Sequence, residues 1–303
     1  MSLPDETLRH LRRVIDEPDL AGTRYRLVGL LGRGGMGSVW EVEDRTLERH
    51  VALKVVGEAE GETSGVARIP QEARTMARLE HPGVVPVHEV GTLGDGRTYY
   101  AMKLVRGERL DVHLAERRAL DDRLRVFERV LETMAFAHAR GVVHRDLKPG
   151  NVMVGEFGEV LVLDWGVAFR GSAAEEPGTV VGTEGFMAPE QARGEIDATD
   201  ARADVFALGR MLAEILREGE GRPSAALRAI SRCAAAVDPG ERYADASELR
   251  DDLRRERAGL QTRALPDNPL RWLVRFHRRY AAAIWLIAAY LVMRIALLWL
   301  PTG

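Results

Sequence analysis

The strongest restriction on this chain is a change of period about one third of the way along it. From Tyr25 to about Val105 the apolar residues come in short alternating runs, and beyond Asp121 they recur at helical spacing. "YRLVGLLG", "SVWEVED" and "HVALKVV" are each short, rich in branched or aromatic residues and separated by Gly or polar turns, which predicts an antiparallel meander. "PQEARTMARLE" predicts a helix with Ala73, Met76, Ala77 and Leu79 on one side, ended by His81-Pro82-Gly83. Two more strands are expected in "VVPVHEV" and "RTYYAMKLV". In "DDRLRVFERVLETMAFAHARG", Leu124, Phe127, Leu131, Met134 and Ala135 fall on one helical face, with Asp121 as the expected cap and Gly141 as the stop. "ARADVFALGRMLAEILREG" is a second helix of this kind. Strands followed by helices predict an α+β chain in two segregated lobes, and no internal repeat is visible. The brief amphipathic pattern in residues 1–23 (Leu8, Leu11, Val14, Ile15) carries no assignment.

Composition removes several classes of function. With 303 residues, 46% of them hydrophobic, the chain can bury one large core or two, which excludes a disordered or fibrous protein. A formal net charge of −3 and a pI near 6.3 provide no global basic field, so nucleic acid is not an expected partner. The single cysteine, Cys233, cannot form an internal disulfide and fits a reducing compartment. The first twenty residues hold no apolar run of signal-peptide length.

Chemistry enters with "LGRGGMGSVW", where Gly32, Gly34 and Gly37 have G-x-G-x-x-G spacing and Val39 follows. Dinucleotide folds start a helix at the third glycine, whereas Ser38 to Glu43 reads as a strand, so a glycine-rich hairpin fits better. Such a hairpin lets backbone N–H groups approach phosphates with no Cβ in the way; an ordinary glycine-rich turn is at this point an equal reading. Lys54 in "VALKVV" has the V-A-x-K form of a strand lysine that pairs nucleotide phosphates. Flanked by apolar residues it is costly to bury unpaired, which points to Glu72 in the next helix as its partner, unless it is a surface lysine at a strand end. "HRDLKPGN" is far more specific. His144, Arg145, Asp146, Lys148 and Asn151 match H-R-D-x-x-x-x-N, "LDWG" follows with Asp164, and Ala188-Pro189-Glu190 closes the order.

On these motifs the chain resembles the eukaryotic-type (Hanks-type) protein kinases, specifically the bacterial serine/threonine kinases, from about Tyr25 to Arg257. The resemblance implies a two-lobed kinase fold: an extension over 1–24, and a kinase domain over 25–257 with a small β-rich lobe to about 105 and a helical lobe over about 106–257. It implies that Asp146 accepts the substrate hydroxyl proton and that Lys148 supports the transferring phosphoryl group, with Thr183 in the same catalytic set. Asn151 and Asp164 would hold Mg2+, for which Mn2+ could substitute. Leu31, Gly32, Gly34, Gly35, Gly37, Val39 and Ala52 would enclose ATP, Lys54 would pair with Glu72, Met102 would guard the back of the adenine pocket, and the backbone of Lys103 and Val105 would meet adenine. Asp204 would brace the catalytic loop and Arg242 would pair with Glu190. Only three of the 43 Lys and Arg residues are lysines, Lys54, Lys103 and Lys148. Two of them stand where a compact ammonium meets phosphate oxygens, while Lys103 is expected to face solvent. Lys148 and Gly182-Thr183 favour protein serine/threonine hydroxyls as acceptors, and the expected partners are ATP and protein substrates.

Two departures stand out: Trp165 where the family has phenylalanine, and a short stretch between Gly219 and Ala235 where the family has a longer helical region. The rival reading is a catalytically weak nucleotide-binding pseudokinase scaffold. Arg145 before the catalytic aspartate implies control by a phosphate in the following loop, with self-phosphorylation expected at Thr179 or Ser172; Thr183 is a further candidate, and Glu175 and Glu176 are an alternative source of charge.

Finally, "AAAIWLIAAYLVMRIALLWL" (281–300) is twenty residues with one charge, Arg294, enough at 1.5 Å per residue to cover roughly 30 Å of hydrocarbon. It is expected to be a C-terminal transmembrane helix, with a buried or dimer-forming helix as the alternative. Residues 258–280 form a basic juxtamembrane linker, and Trp272, Tyr280 and Trp299 lie where interfacial anchors would. Arg271, Arg275, Arg278 and Arg279 precede the span and three residues follow it, which predicts a single-pass protein of the cell (inner) membrane with the kinase domain cytoplasmic and no external sensor domain.

Overall fold

The computed structural model describes residues 17–34, 37–56, 71–116, 119–165, 183–195, 200–217, 222–266, 280–281 and 284–294. Its upper lobe is a sheet of β1 (Tyr25–Gly34), β2 (Gly37–Asp44), β3 (Arg49–Val56), β4 (Val87–Thr92) and β5 (Thr98–Lys103), ordered β1-β2-β3-β5-β4 with antiparallel pairings. Alternation along the strands divides the sheet into two faces. Trp40, Leu53, Tyr99 and Ala101 close a core on one side with Tyr25 and Leu93. The register sets Gly32 opposite Val39, Val39 opposite Lys54, Lys54 opposite Tyr100, and Ala52 opposite Met102, so these residues share the other face.

Helix α1 (Gln71–Arg78) lies beneath that second face. Ala73, Met76 and Leu79 are buried, but Ala77 is exposed and Thr75 takes its place. Aiming Glu72 at the sheet makes Glu72, Thr75, Met76 and Leu79 the inward stripe at i, i+3, i+4 and i+7, which turns Ala77 to solvent.

The lower lobe comprises β6 (Gly107–Arg109), α2 (Leu110–Ala115), α3 (Leu120–Ala139), β7 (Val152–Gly155), β8 (Val160–Val162), α4 (Pro189–Ala192), α5 (Ala201–Arg217), α6 (Ala225–Ala234) and α7 (Ala246–Arg257). Phe127, Val130, Leu131 and Met134 of α3 are fully buried in the main core, each such side chain contributing about 1.5–3 kcal/mol. The N-cap of α3 is Ala119, not Asp121, and makes no side-chain cap bond. Because the helix begins at Leu120, Asp121 lies inside its first turn and pairs with Arg125 and Arg257 at 2.6 Å each. Gly141 ends the helix with φ 69° and donates to His138 O at 2.9 Å. In the short region after α5, α6 is capped by Ser224, whose Oγ accepts from Leu227 N. It lies so close to α5 that a Cβ on Gly209 would come within 2.6 Å of Ala235 N.

The chain after α7 folds back on this lobe: Asp252 accepts from the N–H groups of Arg263 at 2.6 Å and Ala264 at 3.0 Å and from the Tyr243 hydroxyl at 2.7 Å. Residues 284–294 are helical. Among the described residues no helix is long and apolar enough to cross a membrane; the expected span 281–300 lies partly outside them.

Candidate active site

The β7–β8 hairpin brings the two expected metal ligands to one end. Val152 pairs with Val162, so Asn151, which precedes β7 in a 3-10 turn (Pro149–Asn151), and Asp164, which follows β8, flank the same end of the ladder. Leu163 N donates to Asn151 O at 2.8 Å and extends the pairing by one residue. Asp164 has φ 56°, the left-handed region that a non-glycine residue enters only when its surroundings hold it there. Its side chain is 58% exposed toward the cleft.

Lys54 reaches this carboxylate from above. Its Nζ donates to Glu72 Oε2 at 2.6 Å and to Asp164 Oδ1 at 3.4 Å, and Lys54 and Glu72 are each only 6% exposed. A buried ammonium with one full carboxylate partner and one open side retains attraction for a further anion. Tyr100, which the sequence reading did not single out, lies 5.9 Å from Lys54 Nζ by its ring centroid. Burial, reinforced by the Glu72 charge and hydrogen bond, pushes its phenol far above the usual range, so it stays a neutral donor.

The catalytic loop is held from below. Asp204, in the first turn of α5, accepts the N–H of His144 at 2.7 Å and of Arg145 at 2.8 Å, which fixes the left-handed Arg145 at φ 68°. Burial works against the Asp204 charge, but the hydrogen bond and charge of His138, with the His144 ring and N–H, outweigh it and hold the carboxyl below its ordinary value. His138 and Gln191 were not foreseen. His138 Nε2 lies 2.9 Å from Asp204 and its Nδ1 accepts from Ala246 N at 3.1 Å, while Gln191 Nε2 donates to Arg145 O at 2.9 Å. The available signal was that His138 continues the apolar stripe of α3, where a polar side chain needs a buried partner.

Above this base three side chains close on one another. Thr183 Oγ1 donates to Asp146 Oδ1 at 2.7 Å, and Lys148 Nζ donates to Thr183 Oγ1 at 2.6 Å and to Asp146 Oδ2 at 2.9 Å. Asn151 Nδ2 donates to Asp146 O at 2.8 Å and Oδ2 at 3.2 Å, which leaves its amide oxygen for a cation. Asp146 is thus a carboxylate aimed by three donors, one of them an ammonium, the arrangement for accepting a hydroxyl proton next to a transferring anion.

The glycine hairpin meets the same cleft. Gly37 has φ 136°, and a Cβ there would fall 2.1 Å from Val55 O, so the turn itself demands glycine. At Gly32 a Cβ would meet nothing in the protein within 4 Å; only a group entering beneath the sheet would be crowded. Gly35 lies outside the described residues, as do Ser172 and Thr179. Leu31 is half exposed at this strand, and Val39, Ala52 and Met102 line the face above the cleft. Lys103 N donates to Pro86 O at 3.1 Å and its Nζ lies 3.6 Å from Glu159 with the side chain 43% exposed, while Val105 packs against the main core.

A hard cation with phosphate suits this donor set. One exposed carboxylate and one free amide oxygen are oxygen ligands of the kind magnesium prefers. Among the described residues no group of three or more His, Cys, Asp or Glu side chains gathers to bind a metal.

The protein-family model described as the protein kinase domain matches residues 25–232. The chain belongs to the protein kinase family. Over 195 residues this kinase domain is 44% identical to the serine/threonine-protein kinase PknA of Mycobacterium tuberculosis, covering 61% of this chain and 45% of PknA. Over 296 residues it is 32% identical to the serine/threonine-protein kinase PknD of Chlamydia trachomatis, covering 76% of this chain and 31% of PknD. The chain therefore spans less than half the length of these curated relatives. The crystal structure of the Mycobacterium tuberculosis PknI kinase domain superposes with a TM-score of 0.58 at 26% identity, over 78% of this chain and 97% of that one. These likenesses place the kinase among the Hanks-type bacterial enzymes, with the β-rich upper and helical lower lobes of that fold.

Proposed function

We propose that this chain is an ATP-dependent protein serine/threonine kinase that transfers the γ-phosphoryl group to protein hydroxyls. The reading is carried by Lys54 Nζ, placed 2.6 Å from Glu72 and 3.4 Å from Asp164. That arrangement presents a buried ammonium to a phosphate beside a carboxylate suited to its counter-ion. Magnesium, when bound, neutralises developing charge on the phosphate oxygens. Asn151 and Asp164 would hold it and Lys54 would orient the phosphates, while Asp146 takes the proton from the acceptor hydroxyl and Lys148 stabilises the group in flight. The hydrogen bonds of Thr183 to Asp146 and Lys148 support a serine or threonine acceptor, because they aim both side chains at one small site. Phosphate transfer from radiolabelled ATP to a protein acceptor, followed by phosphosite mapping, tests the reading. Asp146→Ala should transfer roughly 10²- to 10⁴-fold more slowly, and an unchanged rate would refute the mechanism. Mapping also tests self-phosphorylation at Thr179 or Ser172; loop peptides free of phosphate in active enzyme would remove that part.

The same proposal includes a single-pass anchor over 281–300 in the inner membrane, with the kinase domain cytoplasmic. Support comes from the helical residues 284–294, where Trp285, Leu286, Ile287, Tyr290, Leu291 and Val292 are all exposed around the helix. A helix whose exposed side chains are apolar all round up to Arg294 needs a core or a bilayer. Arg271, Arg275, Arg278 and Arg279 on its amino-terminal side favour retention of that side in the cytoplasm. Fractionation without detergent tests the anchor, which full solubility of the intact chain would overturn.

A further inference from the structure

A cavity of about 630 Å³ lies away from the nucleotide cleft, bounded by β6, α2, the first turns of α3 and the β7–β8 turn. Glu108, Asp122 and Glu156 line it together with His113, Val126 and Val154, and among the described residues no lysine or arginine does. Strand alternation on β6 separates it from the active site: Arg109 turns its guanidinium to Gly150 of the catalytic loop, so Glu108 turns the other way. His113 is only 6% exposed, and its Nδ1 lies 2.7 Å from Glu108 Oε1. A carboxylate only accepts, so that hydrogen is on Nδ1, and in the neutral ring Nε2 is an acceptor with no partner among the described residues. Asp122 is weakly compensated, because Arg125 lies 3.4 Å from it but 2.6 Å from Asp121. Phe157, between the lining residues Glu156 and Gly158, is 94% exposed at the tip of the turn, and Val112 beside His113 is 52% exposed. Turn tips ordinarily carry polar residues. A bare phenyl ring next to clustered acceptors suits a ligand that offers cations and an apolar side chain together.

The chain itself contains such a ligand. Residues 270–279, "LRWLVRFHRR", carry four arginines and no acid, with Trp272, Leu273, Val274 and Phe276 between them. We propose that this segment docks in the cavity beneath the β7–β8 turn of its own kinase domain, its arginines against Asp122, Glu156 and the Glu108–His113 pair and an apolar side chain against Phe157. Its starting point lies close by. Asp252 holds the N–H groups of Arg263 and Ala264. Five residues further along α7, about 7.5 Å of helix, Arg257 pairs with Asp121, the neighbour of Asp122 at the cavity rim. From Ala264 to Arg271 seven residues span up to about 23 Å when extended. A site joined to its ligand by so short a connection meets it at roughly millimolar effective concentration. Ion pairs of ordinary surface strength and one covered phenyl ring are then enough to keep the cavity occupied, whereas a second copy or a separate protein would arrive only at its lower bulk concentration.

The test uses the full chain in a neutral detergent, with Phe157→benzoylphenylalanine placing a photoreactive aromatic ring at the tip of the turn. After irradiation, peptide mapping should find the cross-link within residues 270–279, at a yield that does not change on about tenfold dilution, as expected of a contact within one molecule. Asp122→Arg with Glu156→Arg should lower that yield about 5-fold or more, because two modest attractions become repulsions. Adding Arg271→Glu with Arg275→Glu should recover at least half of it, and such recovery distinguishes docking from a folding defect. Absence of any cross-link to 270–279 would overturn the proposal, as would a charge reversal without effect. A cross-link that joins two molecules and fades on dilution would overturn it by giving the cavity to another copy. Cross-links that run to an added protein acceptor and never to the segment would overturn it by making the cavity a substrate-docking site.

Discussion

Glu190 and Arg242, 52 residues apart, meet in a two-pronged ion pair of 2.6 and 2.8 Å, with the residues 1% and 2% exposed. The remaining guanidinium hydrogens reach Ala236 O at 2.8 Å, Arg202 O at 2.9 Å and Val237 O at 3.1 Å. Five donors in a fixed fork are all used, and a lysine has only three. Arg242→Met should therefore leave Glu190 charged and alone, at a cost of about 3–5 kcal/mol, and Arg242→Lys should recover only part of it. Urea unfolding monitored by circular dichroism measures both, and a loss under about 1 kcal/mol in the methionine variant would contradict this account.

The Lys54–Glu72 pair should separate stability from catalysis. Lys54→Met strands the buried Glu72 carboxylate, so both melting temperature and rate fall, the rate by about 10²- to 10³-fold for the loss of one positioned charge. Adding Glu72→Leu removes the stranded charge, and the double variant should regain most of the melting temperature while its rate stays low. Scanning calorimetry with initial-rate assays decides it; a double variant with restored transfer would show that the ammonium is dispensable.

Gly37→Ala should injure the hairpin without touching the catalytic loop. Its Cβ would collide with Val55 O at φ 136°, and strain of this kind costs of order 1–3 kcal/mol. The expected result is a raised KM for ATP with kcat reduced less than threefold, read from steady-state kinetics. An unaltered KM would mean that the turn accommodates a side chain.

Acid should loosen the catalytic loop through Asp204. Its carboxyl is held below the ordinary value of 3.8 when folded, so its contribution is complete above that pH and disappears as the pH falls through the lower folded value. Asp204→Asn should lose about 2–3 kcal/mol near neutrality, where the N–H groups of His144 and Arg145 lose a charged acceptor. The gap to the unaltered protein should narrow below about pH 4. Guanidinium unfolding between pH 3 and 7 gives the two curves; a constant gap would exclude Asp204 as the titrating group.

Much of this arrangement could be read from residue order, for reasons visible in individual side chains. Lys54 between apolar neighbours had to find an acid, and Glu72 in the next helix was within reach. Asn151 and Asp164 could be paired on paper only through the motifs of the resemblance; the β7–β8 hairpin that joins them was not foreseen. Tyr100 was not legible, since strand alternation tells which face a residue occupies but not what lies beneath it. The cap of α3 was misplaced because Asp121 is as useful inside the first turn, beside Arg125 and Arg257, as it would be at the end. The folded-back residues 263–264 were invisible because their bonds to Asp252 use backbone N–H groups, which every residue but proline carries.

That last contact determines where any tether begins. A chain drawn from the end of α7 would have its pivot at Arg257, yet Asp252 grips the N–H groups of Arg263 and Ala264. Whatever the later residues attach to, tension arrives at Asp252 and its partner Tyr243, the immediate neighbour of Arg242. The domain's leash is thus shorter than its residue count suggests, and its knot is tied next to the Glu190–Arg242 ion pair.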